Sequence, residues 1–427
     1  SAETGRLFLN GKFAAELKGE HAHTVPLDPA LLNFDKPNYV QLYLSGASQR
    51  WAWRGVKSNI TLRVQSGISV EYPQIITSVK EKKLSIRATV RNRSREKQPL
   101  RIRATVRGTN APAPFESETV TLHPGEEKEI VFSQNWTNPL LWNWQNPNLY
   151  TCTLESIGAN GRILDSTFPI RFGFREFGIE GKNYKLNGRT VHLFNADECI
   201  NFTCDADKVR EMYRALKRFG YNAIRLSFNM VNDDISTVLR VADEEGILLM
   251  MNLRGVSGNE YAMWNTPETR LQLENRMAAD IREWNNHPSI IMWYLSVNFL
   301  GYPLDYHPLK MADGYLPDSK ADKYKVARNG EIILRKYDTT RPFFYQAGGF
   351  HGPVINSNAY FCWWPQAERR TWAEEWRRNG TKPLHIIETS FPYVSSMTGM
   401  DKQFHGTSKV KFIHENAARY LGNDGYD

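Results

Sequence analysis

The stretch Lys217-Arg-Phe-Gly-Tyr-Asn-Ala-Ile-Arg-Leu-Ser227, read with its flanks, fixes the architecture of the larger part of the chain. Asp205 to Phe219 carries apolar side chains at Val209, Met212, Tyr213, Leu216 and Phe219, the 3.6-residue stripe of a helix lying on a sheet. Gly220 ends that helix, and Ala223-Ile-Arg-Leu-Ser227 follows as a short strand. Asp234 to Glu245 repeats the helix, Gly246 stops it, and Ile247 to Asn252 is the next strand. Thr266 then caps a helix that begins at Pro267 and runs to Trp284. Ser289 to Ser296, Pro342 to Gln346, Val354 to Tyr360 and Pro383 to Glu388 are further strands. Helix alternating with apolar strand means a parallel sheet, and seven such units in ~250 residues favour a (β/α)8 TIM barrel over an open sheet. No eighth strand is visible before Asp427.

Ahead of Phe174 the pattern is β throughout. Tyr39-Val-Gln-Leu-Tyr-Leu44, Leu84-Ser-Ile-Arg-Ala-Thr-Val90 and Leu100-Arg-Ile-Arg-Ala-Thr-Val106 alternate apolar and polar residues. Turn signals such as Asp35-Lys-Pro-Asn38 and Gly158-Ala-Asn-Gly161 separate the runs at sandwich spacing. The segment divides near residue 66. Before it lies a small sheet, opened by the strand–turn–strand Arg6-Leu-Phe-Leu-Asn-Gly-Lys-Phe13. After it, residues 66–172 have the size and about seven strands of an immunoglobulin-like β-sandwich. A hairpin starting at the sixth residue predicts that earlier strands of its sheet lie outside this chain.

Composition removes several function classes. The 427 residues hold 54 Lys+Arg against 46 Asp+Glu, with 41% hydrophobic and 12% aromatic side chains, which excludes a disordered or fibrous protein. The basic excess is spread along the chain without a charged block, so no nucleic-acid partner is expected. No apolar run approaches the ~18 residues of a membrane span, so no membrane partner is expected either. The four cysteines have no CxxC spacing, and neither a metal nor another cofactor is expected. No targeting segment decides between a cytoplasmic and a periplasmic or secreted location.

In such barrels the chemistry sits where strands end and loops begin. Those ends carry Asn195, Asp197 and Glu198, then Arg225, Asn252, Asn298, Gln346, Tyr360 with Trp363 and Trp364, and Glu388. Glu388 closes an apolar strand at a depth where a carboxylate is costly unless it is paired or functional. Arg225 is a candidate cation to hold its charge, and Tyr360 a candidate hydrogen-bond donor. A carboxylate held in this way suits a glycosidase nucleophile, which attacks an oxocarbenium-like carbon. The plainer alternative is a buried Arg–Glu pair with no chemistry. Trp363 and Trp364, with Trp293, offer flat faces for a sugar ring, although core packing is the commoner role for an indole such as Trp293.

Phe172-Gly-Phe-Arg-Glu-Phe177 and Tyr184-Lys-Leu-Asn-Gly-Arg-Thr-Val191 strongly resemble the start of the barrel in glycoside hydrolase family 2, which includes β-galactosidases, β-glucuronidases and β-mannosidases. The resemblance continues through Lys217 to Ser227, Ala242-Asp-Glu-Glu-Gly246, Asn286-His-Pro-Ser-Ile-Ile-Met-Trp293, Asn356-Ser-Asn-Ala-Tyr360 and Lys382-Pro-Leu-His-Ile-Ile-Glu388. It implies a multidomain chain. Residues 1–65 would be the C-terminal part of a jelly-roll sugar-binding domain ending near Trp53-Arg-Gly-Val56, residues 66–172 the immunoglobulin-like sandwich, and residues 173–427 the TIM barrel. By the same resemblance Glu388 falls on the nucleophile, Arg225 on the arginine supporting it and Tyr360 on the tyrosine of the sixth strand. The implied partner is an oligosaccharide or glycoside, with room for a homo-oligomer or a completing second chain.

One departure matters. After the fourth strand the family usually carries an Asn-Glu pair whose Glu is the general acid/base, whereas here Trp293-Tyr-Leu-Ser-Val-Asn298-Phe299 follows. Either Asn298 or Phe299 stands where that carboxylate is expected, depending on the alignment, and an amide cannot protonate a leaving group. The first strand departs as well, with Asp197-Glu198-Cys199 where a His-containing stretch is common. Three readings follow: a retaining β-glycosidase in which Asp197, Glu198, Glu260 or Asp305 substitutes as the acid, a carbohydrate-binding pseudoenzyme, or a scaffold with a relict barrel.

Overall fold

The computed structural model describes residues 4–18, 25–45, 60, 62, 67–196, 205–226, 235–253, 266–295, 300, 321–358, 371 and 373–388. Strands β1 (Thr4–Leu9), β2 (Lys12–Lys18) and β3 (Val40–Ser45) form an antiparallel sheet in the order β2-β1-β3. Asn10 (φ 53°) and Gly11 (φ 78°) make the two-residue turn that Asn-Gly predicts. Asn10 also ties the sheet together, accepting from the Tyr39 N–H and donating to the Leu31 carbonyl.

The next strands are β4 (Ile68–Ser78), β5 (Lys83–Asn92), β6 (Gln98–Arg107), β7 (Phe115–Glu116), β8 (Val120–Leu122), β9 (Glu127–Asn135), β10 (Tyr150–Gly158), β11 (Ile163–Ser166) and β12 (Ile170–Phe172). They form two sheets, β4-β5-β9 and β11-β10-β6-β7, with β12 added to β10 and β8 to β6. Alternate residues of β5 (Leu84, Ile86, Ala88, Val90) and β6 (Leu100, Ile102, Ala104, Val106) are buried in one shared core. The described strands number nine rather than about seven, because β7, β8 and β12 are too short to show alternation in sequence.

An antiparallel meander then follows that the sequence pattern does not announce: β13 (Phe177–Glu180), β14 (Asn183–Leu186) and β15 (Arg189–Val191). Its buried Phe177, Tyr184 and Leu186 pack with Ala223 and Leu248, residues at the beginnings of barrel strands, and so cover that end of the barrel interior.

The barrel elements are β16 (Asn195–Ala196), α1 (Ala206–Arg218), β17 (Ala223–Leu226), α2 (Ile235–Glu245), β18 (Leu248–Asn252), α3 (Pro267–Trp284), β19 (Ile290–Tyr294), α4 (Ala321–Tyr337), β20 (Phe343–Phe344), β21 (Ile355–Asn358), α5 (Glu374–Asn379) and β22 (Leu384–Glu388). Strands β16 to β20 pair in parallel in sequence order, and β21 pairs in parallel with β22. Seven parallel barrel strands are therefore present among the described residues. Ile224, Leu226, Leu249, Met251, Trp293 and Phe343 face the helices and share a core with Val209, Tyr213, Leu239, Met277 and Leu334. Ala223, Leu248, Met250, Met292, Tyr294 and Phe344 face the other way, into the barrel.

The helix caps follow the local chemistry. The Asp205 side chain accepts from the Asp207 and Lys208 N–H groups to start α1, and Thr266 accepts from the Thr269 N–H to start α3. Phe219 is a correction. It lies beyond the last turn of α1 and is 80% exposed, so it is not part of the stripe on the sheet.

Sandwich and barrel meet through polar contacts made by the recurring motifs. Buried Arg175 donates to the Pro288 and Ile290 carbonyls at 3.1 and 2.6 Å. Asn286 accepts from the Ile75 N–H and donates to the Pro73 carbonyl, both at 2.8 Å. Trp142, fully buried, donates its indole N–H to the Asp243 carbonyl at 2.9 Å.

Candidate active site

Strand β17 is buried along its whole length, and its parity turns Arg225 into the barrel. Glu388 ends β22 on the far side of the same interior. Arg225 Nη1 donates to Glu388 Oε1 at 3.0 Å, with the arginine side chain 3% and the glutamate side chain 16% exposed. Gln346, just past β20 and fully buried, donates from Nε2 to the same Oε1 at 2.6 Å.

A bulge brings the carboxylate there. Ser357 of β21 pairs with Ile386, but the next residue, Asn358, pairs with Glu388, so Ile387 is an extra residue on β22. Simple alternation would turn Glu388 away from the face that holds His385 and Ile387. The inserted residue re-aims it toward Arg225, a recurring use of bulges beside functional sites.

Beneath Glu388, His385 is buried between three strands. Its Nδ1 lies 3.2 Å from the Tyr184 hydroxyl, its Nε2 lies 3.2 Å from Asn195 Oδ1, and its ring stacks on Phe344. Burial, reinforced by the Arg225 charge, pulls its pKa down to about 4, which leaves a neutral imidazole at neutral pH. An amide oxygen only accepts, so Nε2 carries the proton and Nδ1 accepts from Tyr184. Burial also pushes the Tyr184 phenol above its ordinary value.

Of the other sequence-predicted site residues, Asn252 is buried and donates from Nδ2 to the Tyr294 carbonyl at 3.3 Å. Asp197, Glu198, Asn298, Tyr360, Trp363 and Trp364 lie outside the described residues, as do Phe299, Glu260 and Asp305. Trp293 takes the core-packing role, the commoner one for such an indole. It is fully buried on the helix-facing side of β19, with its indole N–H donated to Asp338 Oδ2 at 2.8 Å, so it presents no face to a sugar. Sequence reasoning gave no part to His385, Tyr184 or Asn356. The available signal was a polar residue inside an otherwise apolar strand, as His385 is in Leu384-His-Ile-Ile387.

Residues 170–415, more than half of the chain, match the family described as "Glycosyl hydrolases family 2, TIM barrel domain", and residues 68–175 match "Glycosyl hydrolases family 2". A beta-galactosidase from Arthrobacter sp. (strain B7) is 30% identical over 167 residues, covering 36% of this chain and 15% of that protein. Among solved structures, a Bacteroides uniformis beta-glucuronidase superposes with a TM-score of 0.65 at 19% identity, covering 100% of this chain and 54% of that one. A GH2 beta-galacturonidase from Eisenbergiella tayi, bound to galacturonate, superposes with a TM-score of 0.67 at 19% identity, covering 98% of this chain and 74% of that one. At those identities the likeness is one of fold. The chain spans at most a quarter of the length of the curated beta-glucuronidase and beta-galactosidase relatives it matches. With a sandwich and a parallel barrel matched along residues 68–415, the chain belongs to glycoside hydrolase family 2.

Proposed function

We propose that this chain is the sandwich-and-barrel part of a retaining β-glycosidase, with Glu388 as nucleophile and Arg225 as the cation that supports it. The single observation carrying the reading is the bulged, part-exposed Glu388 held from inside the barrel by Arg225 and Gln346. In this reading Asp197, Glu198, Asn252, Tyr360, Trp363 and Trp364 surround the sugar. Residues 1–65 finish a jelly-roll module, 66–172 form the immunoglobulin-like module and 173–427 the catalytic barrel.

The Glu388 carboxylate attacks the anomeric carbon while the bond from that carbon to the aglycone oxygen breaks, and the oxygen leaves with the electron pair. Water then adds to the same carbon of the glycosyl ester, returning Glu388 as a carboxylate and releasing a proton to solvent or a nearby base. A general acid would protonate the departing oxygen, a contribution of roughly 10²–10⁴ in rate. Asn298 and Phe299 cannot supply it. Aglycones that leave readily as anions therefore suit this site, unless another rim carboxylic acid takes the part.

The absence of a carboxylate at 298 and 299 equally favours a second reading, a sugar-binding pseudoenzyme that keeps the cleft and turns over poorly. One panel separates the two. Aryl β-glucuronides, β-galacturonides and β-galactosides are assayed beside the corresponding natural disaccharides, with Glu388→Gln as control. Turnover abolished by Glu388→Gln supports the glycosidase, and hydrolysis of aryl substrates alone marks a site without an acid. Saturable sugar binding with no turnover of any member supports the pseudoenzyme.

A further inference from the structure

We infer that Gln346 is a positioning residue for Glu388, and that its aim is set by a strained turn which Asn356 holds in place. The inference rests on the reading of Glu388 as nucleophile and deepens it.

Gln346 Nε2 lies 2.6 Å from Glu388 Oε1. A carboxylate only accepts, so the amide nitrogen must face it and the orientation of the side chain is fixed by chemistry. The terminal torsion of a glutamate is broad, and one donor leaves the carboxyl plane loosely set. Arg225 and Gln346 reach Oε1 from the second and fifth strands, and two donors from different strands define the plane. The second donor is neutral, so it adds a hydrogen bond without adding a charge.

The backbone beyond Gln346 carries strain. Ala347 has φ 53°, a left-handed conformation unfavourable for a residue with a Cβ, and it is followed by Gly348 and Gly349. A Cβ on Gly348 would lie 2.6 Å from the Tyr345 Cβ, so the turn is packed tightly against its own strand. Asn356, fully buried on β21, accepts the Ala347 N–H at Oδ1 (2.8 Å), and its backbone exchanges hydrogen bonds with Gly349 at 2.9 and 3.0 Å. The same Asn356 side chain donates from Nδ2 to the carbonyl of His385, three residues ahead of Glu388, at 3.1 Å. One buried amide therefore ties the turn that aims the donor to the strand that carries the acceptor.

Gln346→Leu and the near-isosteric Gln346→Met remove the donor. The expected result is a ~10–100-fold fall in kcat/KM on an aryl β-glycoside, carried in kcat, with KM within about twofold and Tm within a few degrees. Gln346→Glu sets a second carboxylate against Glu388. Its rate is expected to fall further at neutral pH and to climb as pH is lowered, because one proton shared between the two carboxyls restores a donor. The charged or ionisable side chains around this contact are Glu388, its partner Arg225 and His385 on the Glu388 strand. A recovery at low pH by Gln346→Glu that Gln346→Leu does not show is a signature that a merely structural role would not produce. Wild-type kcat/KM in both donor-less variants, or a wild-type pH profile in Gln346→Glu, overturns the inference. If the wild-type chain hydrolyses no glycoside, the glycosidase reading fails, and crystal structures of wild type and Gln346→Met still decide the positioning. A rotated Glu388 carboxylate in the variant supports it, and an unchanged one overturns it.

Discussion

Arg225 and Glu388 are 163 positions apart in sequence, yet Arg225 Nη1 sits 3.0 Å from Glu388 Oε1 across the barrel interior. Removing one partner of a fully buried pair costs 3–5 kcal/mol because it strands the other charge, and Glu388 is partly exposed and keeps Gln346. Arg225→Met is therefore expected to cost about 2–3 kcal/mol in denaturant titrations. It should also lower kcat/KM on an aryl β-glycoside ~10²-fold or more, with Arg225→Lys keeping the charge but not the planar fork or the reach, and so recovering only part of the rate. Unchanged stability in Arg225→Met would mean that solvent already screens the pair.

Gly173 stands in the Phe172-Gly-Phe motif because there is no room for a side chain. A Cβ there would lie 2.6 Å from the Trp142 Cβ and 2.8 Å from the Pro288 Cβ, wedging apart the sandwich and the barrel. Neither neighbour is a flexible side-chain end, so the backbone has to move. Gly173→Ala is expected to destabilise the chain by about 1–3 kcal/mol through overpacking. Calorimetry should show either a lower Tm or two separated transitions, and an unaltered single transition would contradict the contact.

His385 makes stability fall on the acid side. Its folded pKa of about 4 lies below its ordinary 6.5, so the unfolded chain takes up a proton first as pH drops. The neutral ring thus contributes fully above pH 6.5, and its contribution is lost between there and about pH 4, by at most about 3 kcal/mol. His351, pulled down to about 4 by burial and by the Lys382 and Arg328 charges, acts in the same window. His385→Phe keeps the stack on Phe344 but leaves the Tyr184 hydroxyl and Asn195 without this partner, so it should cost about 1–3 kcal/mol at pH 7. Its Tm should then decline less steeply than wild type from pH 6.5 to 4, and parallel curves would show that His385 does not titrate there.

What could be read from sequence was local. Asn10-Gly11 and Thr266-Pro267 specify their turn and cap within a few residues, and both form as expected. Trp293 was harder to place because Ile290-Ile-Met-Trp-Tyr294 is buried on both faces and its apolar run hides which residues point inward. Phe219 kept the helical spacing one step past the point where the helix had ended. Glu388 and Gln346 were each visible as polar strand ends, but their contact depends on a bulge at Ile387 and a left-handed Ala347, neither of which leaves a pattern in the residues. The meander at Phe177 to Val191 is three short strands whose burial comes from the barrel they cover, so nothing in their own alternation marks them.

Asp338 gathers four donors on the helix side of the sheet: Trp293 Nε1 and Arg341 Nη1 on Oδ2, and the Thr340 N–H and hydroxyl on Oδ1. Burial alone would raise its pKa, but Arg341 and these donors outweigh burial and hold the carboxyl below its usual range. Its contribution is therefore present above pH 4 and lost as pH falls through the lowered folded value. Asp338→Asn turns one acceptor oxygen into an amide that itself donates, where Trp293, Arg341 and the Thr340 N–H only donate and the Thr340 hydroxyl alone could accept. It also leaves Arg341 without its carboxylate while Arg341 still donates to the Asn285, His287 and Ile290 carbonyls. The expected cost is about 3–5 kcal/mol at pH 7, with a shifted Trp fluorescence, and the gap to wild type should narrow below pH 4 as Asp338 itself becomes protonated. A cost under about 1 kcal/mol would show that the network is not assembled as described.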